Sequence, residues 1–518
     1  MNQVASPINS VAFVSLGCPK NLVDSEKMLG TLVESGLALV SDHDEADAIV
    51  VNTCGFMESS KNESLEVIRE AIQRKESGDL SRVVVAGCLV QRHRAKLLQW
   101  APGIDAMIGV FDRDHVLEAV RGVAPPRENA IESPEAPRYW ISGNALQAAG
   151  ERGMETTGLT VHGKDGRGIG YFEDDAQRLR LTPRHWAYLR VSEGCNQKCA
   201  FCTIPSIRGK MRSKGVDRIV EEAKALVNEG CFELNLIGQD TTSFGYDVGY
   251  SAGLVGMLES VDEVLEEAGG GWARLMYAYP TFFDDDMIDA IARLRNVVNY
   301  IDMPLQHASD AILDSMRRDV RADQQAALIH KLRDRIPGMA IRTTFITGFP
   351  GETEDDHRRL MDFVEEMEFE AMGVFRYSRE TGTPAGRMDR DPDLHVPDEV
   401  KLRRERELML LQQRIAFENA AYLAEHRVQL DVLVDAPATG GTEGRATPGV
   451  NDSGNRLHVG RAYHQAPQID SLTYLSSREA LSPGELVRCT IVGSDGYDLV
   501  AQPSAELETR FNLPVVAG

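Results

Sequence analysis

Three cysteines fall within eight residues at Cys195–Asn196–Gln197–Lys198–Cys199–Ala200–Phe201–Cys202, spaced C-x3-C-x2-C. Three thiolates in one short loop hold three irons of a 4Fe-4S cube, whereas ferredoxin-type sites normally use four. No fourth protein ligand lies nearby, so such a site leaves one iron open to a group that is not protein. Two other readings stand beside this one. Zinc needs a fourth ligand, and the candidates His185 and His307 are both distant in sequence. Three inert buried thiols are the other alternative.

The chain around this loop has 518 residues, which predicts two to four domains. Eight cysteines in so long a chain do not make a disulfide scaffold. Most of them sit in loop-like or glycine-flanked contexts, which points to metal chemistry in a reducing compartment, the cytoplasm. No apolar run long enough to span a bilayer is present, and no secretory signal is read at the N-terminus. The formal net charge of −23 disfavours non-specific contact with nucleic acid and favours basic or neutral partners. Neither a membrane nor DNA is expected as a partner.

Residues 9–123 read as a parallel α/β domain. Val11–Leu16, Asp47–Thr53 and Arg82–Ala86 are apolar strands, each followed by a helical pattern. Cys18, Cys54 and Cys88 each follow the C-terminal end of one of these strands. In an open parallel sheet those ends share one edge, where ligands bind. Thiols 36 and 34 residues apart are thereby able to meet. Gly17, Gly55 and Gly87 flank them and leave room for a bulky group. A second three-thiolate cluster is the sharper reading, and three ordinary core cysteines the plainer one. Cys231 and Cys489 both read as core residues.

Residues 124–183, rich in proline and then in glycine, read as a flexible connector without chemistry. Residues 184–390 resume the strand–helix rhythm. Six strands are expected, at Tyr188–Val191, Glu233–Ile237, Arg274–Tyr279, Ile301–Met303, Ala340–Ile346 and Ala371–Phe375. They suit an incomplete (β/α)6 barrel with active groups at strand ends. Gln239, Tyr279, Gln306, His307 and the Thr347–Glu354 loop cluster at those ends. His307 reads equally as a general base or as a turn histidine with a backbone partner. Glu352 and Glu354 read as cofactor-loop residues or helix caps. A charged linker helix is expected over 391–425, opened by Pro397. Alternating strands at 428–434 and 486–492 then predict a small antiparallel β-barrel over 426–505, with a tail at 506–518. Residues 426–518 carry 7 Arg and Lys against 11 Asp and Glu, a net of −4. Phosphate recognition needs the opposite balance, whereas a basic protein suits it.

The cysteine loop, with Phe201 before its third cysteine, resembles the radical S-adenosylmethionine superfamily. That resemblance implies a 4Fe-4S cluster on Cys195, Cys199 and Cys202 whose open iron holds S-adenosylmethionine. It also makes Glu233, Gln239 and Arg342 candidates for positioning that cofactor. Gly348 permits close backbone approach to it, and Arg208 is a basic turn beside it. Ser15–Leu16–Gly17–Cys18–Pro19–Lys20–Asn21–Leu22–Val23–Asp24–Ser25–Glu26, with Asn52–Phe56 and Gly87–Cys88, resembles the methylthiotransferases. The match is closest to the branch that modifies a ribosomal protein; the tRNA branch usually has Gln-Met-Asn where this chain has Pro19–Lys20–Asn21. Gly460–Asp470 resembles the TRAM domain that ends these enzymes.

The resemblance implies a second 4Fe-4S cluster on Cys18, Cys54 and Cys88, whose open iron carries the sulfur to be transferred. It implies S-adenosylmethionine both as methyl donor and as radical source. The substrate it implies is an aspartate of small-subunit ribosomal protein twelve, free or on the ribosome, and an external electron donor is needed. An aspartate β-carbon bears an unactivated C–H bond, which radical abstraction opens and acid–base chemistry does not. The rivals are a tRNA adenosine methylthiotransferase and a non-catalytic iron–sulfur assembly factor that binds the ribosome.

Overall fold

The computed structural model describes residues 8–41, 45–123, 137–160, 166–440, 447–448 and 454–508. The first sheet contains β1 (Ser10–Ser15), β2 (Ala38–Leu39), β3 (Ala48–Thr53), β4 (Arg82–Gly87), β5 (Ala106–Ile108) and β6 (Arg138–Trp140). All pairs are parallel, in the order β2-β1-β3-β4-β5-β6. Alternate residues of β3 and β4 serve two separate cores, as the two-residue period of a strand requires. Ile49, Val51, Val83 and Val85 pack with Leu65, Ile68 and Ile72 of helix α2 (Glu58–Ser77). Val50 and Val84 pack with Met28 and Leu32 of helix α1 (Pro19–Glu34) on the other face. The strand order reverses between β1 and β3, which opens a crevice at their C-terminal ends.

The second sheet contains β7 (Trp186–Arg190), β10 (Glu233–Ile237), β11 (Trp272–Leu275), β12 (Val297–Asp302), β13 (Ala340–Thr347) and β14 (Ala371–Arg376), all parallel and in sequence order. A short ribbon of β8 (Ser192–Glu193) and β9 (Arg212–Ser213) brackets the cysteine loop. β7 and β14 remain the two edges, so the sheet curves without closing. Its convex face packs on helices through residues such as Leu189, Leu236, Ile341 and Phe345. Its concave face carries Trp186, Tyr188, Ile237, Trp272, Met276 and Tyr300, packed with Val23 of α1 and with Leu433 and Ala466 of the last domain.

That last domain follows a helix at Asp398–Glu425. β15 (Gln429–Pro437), β18 (Arg456–Ala462), β19 (Thr473–Ser477), β20 (Leu486–Asp495) and β21 (Asp498–Pro503) close into a five-stranded barrel. A two-residue ribbon, β16 (Thr439–Gly440) with β17 (Thr447–Pro448), projects from it. This barrel stoppers the base of the open one. Arg461 reaches in to Glu233 (2.6 Å), which also accepts from Arg274 (2.8 Å), and all three are buried. Asp435 receives Arg461 and His185, both at 2.8 Å. Asp470 takes Arg342 at 3.2 Å and the Tyr300 hydroxyl at 2.8 Å.

The expectation of a featureless connector over 124–183 needs correcting for the described part. Residues 138–140 add the edge strand β6, and 145–151 form a helix capped by the Asn144 side chain. Tyr171, Glu173 and Asp175 are buried, and Asp175 receives Arg113, Arg190 and Lys214. Charge pairing docks the segment together with an apolar face, since Ala145, Ala148, Ala149 and Ile169 pack with Cys88, Val110, Phe111 and Ile207. Residues 124–136 and 161–165, and the tail from 509 on, lie outside the described residues. Among the described residues no helix is long and apolar enough to cross a membrane.

Candidate active site at the meeting of two cysteine triads

Each N-terminal cysteine sits where a strand stops. Cys18 precedes the first turn of α1 in an extended conformation, and its side chain caps nothing. Cys54 follows β3 directly, and Cys88 opens helix α3 (Cys88–His93). The glycines beside them mark how closely these turns approach. A Cβ on Gly17 would lie 2.9 Å from the Cys54 Cβ, and one on Gly55 would lie 2.7 Å from the Leu89 Cα. Gly87 has φ +97°, and its Cβ would run into Asn52 and the Thr53 backbone. Asn52 in turn donates to the Asn21 carbonyl (2.9 Å) and the Ser25 hydroxyl (2.8 Å), which pins α1 to β3.

The barrel triad is held by its own loop. Ala200 donates to the Met316 carbonyl (2.8 Å) and accepts from Ala385 (3.0 Å), anchoring both sides of the loop. The amides of Gln197 and Ile204 point at the Cys195 and Cys202 sulfurs, each at 3.4 Å. Arg318 lies 3.7 Å from the Cys199 sulfur, stacked on Tyr279 and donating to the Pro304 carbonyl at 2.6 Å. Such donors favour thiolate over thiol.

All six cysteines line one cavity of about 510 Å³ between the first sheet's edge and the barrel mouth. Burial raises the Cys54 thiol and pushes Cys88 and Cys202 up to about 12, while Cys195 is driven well above its ordinary value. Loading iron there therefore expels protons, as for any thiolate site. Among the described residues no three His, Cys, Asp or Glu side chains converge on a point that would hold a single metal ion. What the six thiols share is the lining of one cavity. The zinc alternative fails on geometry as well. His185 is spent on Asp435, and His307 accepts from the Ser309 amide at 2.9 Å while burial lowers it to about 3. His307 is the turn histidine rather than the base.

The cavity is also lined by Lys20, Phe56, Phe201, Arg208, Gln239, Tyr277, Tyr279, Gln306 and Arg318. Gln239 and Gln306 each bury a side-chain oxygen with no hydrogen-bond partner among the described residues. Orphaned acceptors in a cavity fit a ligand with donors to give. Tyr277 (φ +61°) and Gln306 (φ +75°) are held in the left-handed region, a strain of about 1–3 kcal/mol each that clusters at functional sites.

Three residues expected at the cofactor site stand outside the lining of the cavity that the cysteines share. Glu233 opens β10 at the opposite end of the barrel and is saturated by Arg274 and Arg461. Arg342 sits early in β13, between Asp302 (2.7 Å) and Asp470, outside the cavity lining. Gly348 has φ +73°, and the group that crowds it is the Lys401 side chain of the long helix. Strand membership alone does not tell which end of a strand, or which face, a residue serves. Glu352 is a loop clamp, accepting from the Phe349 amide (3.0 Å) and from Arg404 (3.0 Å), while Thr353 and Asp356 form the capping box. Cys231 and Cys489 are buried in cores, as their sequence context implied.

Charge locks the two halves of the site together. Asp24 of α1 receives Arg190 (2.8 Å) and Arg208 (3.0 Å), and Arg208 and Arg190 also bind Glu193 at 2.9 and 2.8 Å. Burial alone would raise Asp24, but Arg190, Arg208 and Arg113 hold it down at about 2. On the far side Glu380 binds Arg92 (2.7 Å) and the Glu58 amide (3.1 Å). Sequence reasoning gave Lys20, Tyr277, Glu193, Arg318 and Glu380 no role. Only Lys20 carried a signal, its place two residues after Cys18.

An open parallel barrel with a three-cysteine loop at its mouth defines a radical S-adenosylmethionine enzyme. Residues 189–364 match the radical SAM superfamily model, residues 10–109 the model called uncharacterized protein family UPF0004, and residues 449–503 the TRAM domain. A solved radical S-adenosylmethionine methyltransferase, TsrM from Kitasatospora setae, shares the fold at TM-score 0.51 and 14% identity, over 73% of this chain and 75% of that one. Curated ribosomal protein uS12 methylthiotransferases named RimO are much nearer. The relative from Anaeromyxobacter sp. strain Fw109-5 is 40% identical over 97% of this chain and 95% of its own. Those from Symbiobacterium thermophilum and Geobacter sulfurreducens are each 37% identical, over 98% and 95% of this chain and 93% and 98% of theirs. The chain belongs to this RimO family.

Proposed function

We propose that the protein transfers a methylthio group to the β-carbon of an aspartate in ribosomal protein uS12, using S-adenosylmethionine as methyl donor and radical source. The observation that carries this reading is that both cysteine triads line one cavity. Cys195, Cys199 and Cys202 would hold one 4Fe-4S cluster, and Cys18, Cys54 and Cys88 a second. When bound, such groups supply one-electron reduction on one side and an iron able to hold sulfur on the other.

The chain's own residues do the rest. Gln239 and Gln306 offer their orphaned oxygens to a cofactor with donors. Phe56, Phe201, Tyr277 and Tyr279 wall the space against water, which a carbon radical needs. The Asp24 and Glu380 contacts hold the sulfur-bearing edge over the barrel mouth, so that the reacting centres stay near one another. The closed barrel at the base, with its acidic balance, suits a basic ribosomal protein docked nearby. An external electron donor and a reducing cytoplasm complete the reading.

Intact-mass measurement of uS12 from a strain lacking this gene tests it. The protein should be lighter by one methylthio group, and purified enzyme with S-adenosylmethionine and reductant should restore it. An unchanged mass, or methylthiolation of tRNA with none on the protein, overturns the reading.

A further inference from the structure

Three cations line the cavity, and among the described residues only Arg208 is paired with carboxylates, while Arg318 keeps an orphaned Nε. Arg208 binds Glu193 and Asp24, and Arg318 donates to the Pro304 carbonyl beneath Tyr279. Lys20 differs. Only 5% of it is exposed, and among the described residues its ammonium has neither a carboxylate partner nor a hydrogen-bond acceptor. Its Nζ lies 2.9 Å from the centroid of the Tyr277 ring. Of the barrel carboxylates whose charge reaches it, Glu193 is engaged by Arg190 and Arg208, and Asp302 by Arg342 at 2.7 Å.

Two features make this placement unfavourable for the fold alone. A buried ammonium without an anion loses its hydration and regains only a ring contact. Lys20 also sits in the first turn of α1, a helix with no acidic residue there, and the helix dipole opposes positive charge at that end. Tyr277 reaches under it from a left-handed backbone, with its amide directed to Asp302 at 3.3 Å. An exposed lysine would relieve all of this. The arrangement instead resembles half of an ion pair, awaiting an anion that enters the cavity.

We propose that Lys20 is the receptor for the carboxylate of the acidic side chain that enters the cavity, and so the residue that selects an acidic substrate. This rests on the function proposed above. In an aspartate the carboxylate is one bond from the β-carbon. A cation fixed two residues from Cys18 that grips the carboxylate therefore presents the neighbouring C–H to the space between the triads. An asparagine, isosteric but neutral, gains no such ion pair.

The test uses the fully loaded holoenzyme and two synthetic basic peptides that differ only in a central aspartate or asparagine. Binding is read by fluorescence anisotropy and turnover by KM and kcat. Wild type should favour the aspartate peptide by about tenfold to a hundredfold, the usual worth of a charge-assisted contact. Lys20→Met should bring the ratio near one by weakening the aspartate peptide alone, and Lys20→Arg should restore part of it. Lys20→Gln gives the same reading if the methionine variant fails to load iron. A ratio that survives the neutral variants, or an equal loss on both peptides, overturns the role of Lys20 while leaving the enzyme's function standing. A wild type that neither binds nor modifies the aspartate peptide overturns both.

Discussion

The two cysteine triads solve the same problem by opposite means. Cys195, Cys199 and Cys202 are placed by one loop, whose anchors Met316 and Ala385 need only hold it still. Cys18, Cys54 and Cys88 come from three strand ends and meet only when β1, β3 and β4 are in register and Gly17, Gly55 and Gly87 let the turns close. A local site survives damage to its scaffold and is lost with any ligand. A dispersed site depends on the sheet itself, so positions that touch no iron control it.

The sharpest break in this comparison comes from one ligand of the local site. Cys199→Ala should reduce 5'-deoxyadenosine formation to background while iron at the N-terminal triad remains; near-normal yield would sink the assignment of the barrel loop. The Cys18→Ala, Cys54→Ala, Cys88→Ala triple variant should do the reverse. Iron and sulfide should fall from about eight of each per chain to about four, 5'-deoxyadenosine should persist, and methylthio transfer should stop. Retained iron with continued transfer would make the three thiols core residues.

A subtler break leaves every ligand in place. Gly87→Ala puts a Cβ into Asn52 and Thr53 at a φ of +97°, so the N-terminal iron should be lost selectively, with about 1–3 kcal/mol of backbone strain. Gly194 is the counterpart beside the barrel loop: at φ +77° its Cβ would meet the Lys210 backbone, so Gly194→Ala should empty that loop instead, and iron analysis with thermal melting of both variants reads the contrast.

The smallest effect concerns the docking of one site on the other. Asp24→Asn removes one anion, but Arg190 keeps Asp175 and Glu193 and Arg208 keeps Glu193, so the cost should be about 1–2 kcal/mol, well short of a buried charge left alone. Because Asp24 is held at about 2, below an unfolded aspartate, its stabilisation is complete above about pH 4. It disappears as pH falls through 2. Melting of wild type from pH 4 down to pH 2 should therefore converge on the variant, and parallel curves throughout would show that Asp24 is not the titrating link.

These differences also explain what could be read in advance. The local triad is a spacing and needs no fold to be seen. The dispersed one was legible because strand ends are predictable from apolar runs, and parallel order places them on one edge. The paired cations and anions were not legible. Glu233 and Arg342 look like site residues when only strand membership is known, yet their partners Arg461 and Asp470 come from a domain more than a hundred residues away. Asp175 and Glu173 sit in a stretch whose composition resembles a linker, because its apolar face is built mostly of small residues such as Ala145, Ala148 and Ala149, and ion pairs add no period of their own. Lys20 lies inside the Ser15–Glu26 motif, but nothing in sequence tells an unpaired lysine from a paired one.

The stopper at the base of the open barrel has a consequence for how the polypeptide is made. Glu233 is fully buried and shares its charge with Arg461, which leaves the ribosome 228 residues later. Until that arginine emerges, the nascent barrel holds a carboxylate answered only by Arg274, and Arg274 itself lacks the Tyr463 carbonyl that it binds in the finished protein. Synthesis from N- to C-terminus therefore delivers both sets of thiols before the lumen that joins them can settle. A truncated product would carry both sets of thiols on a barrel whose base is still open, with Glu233 short of one of its two arginines.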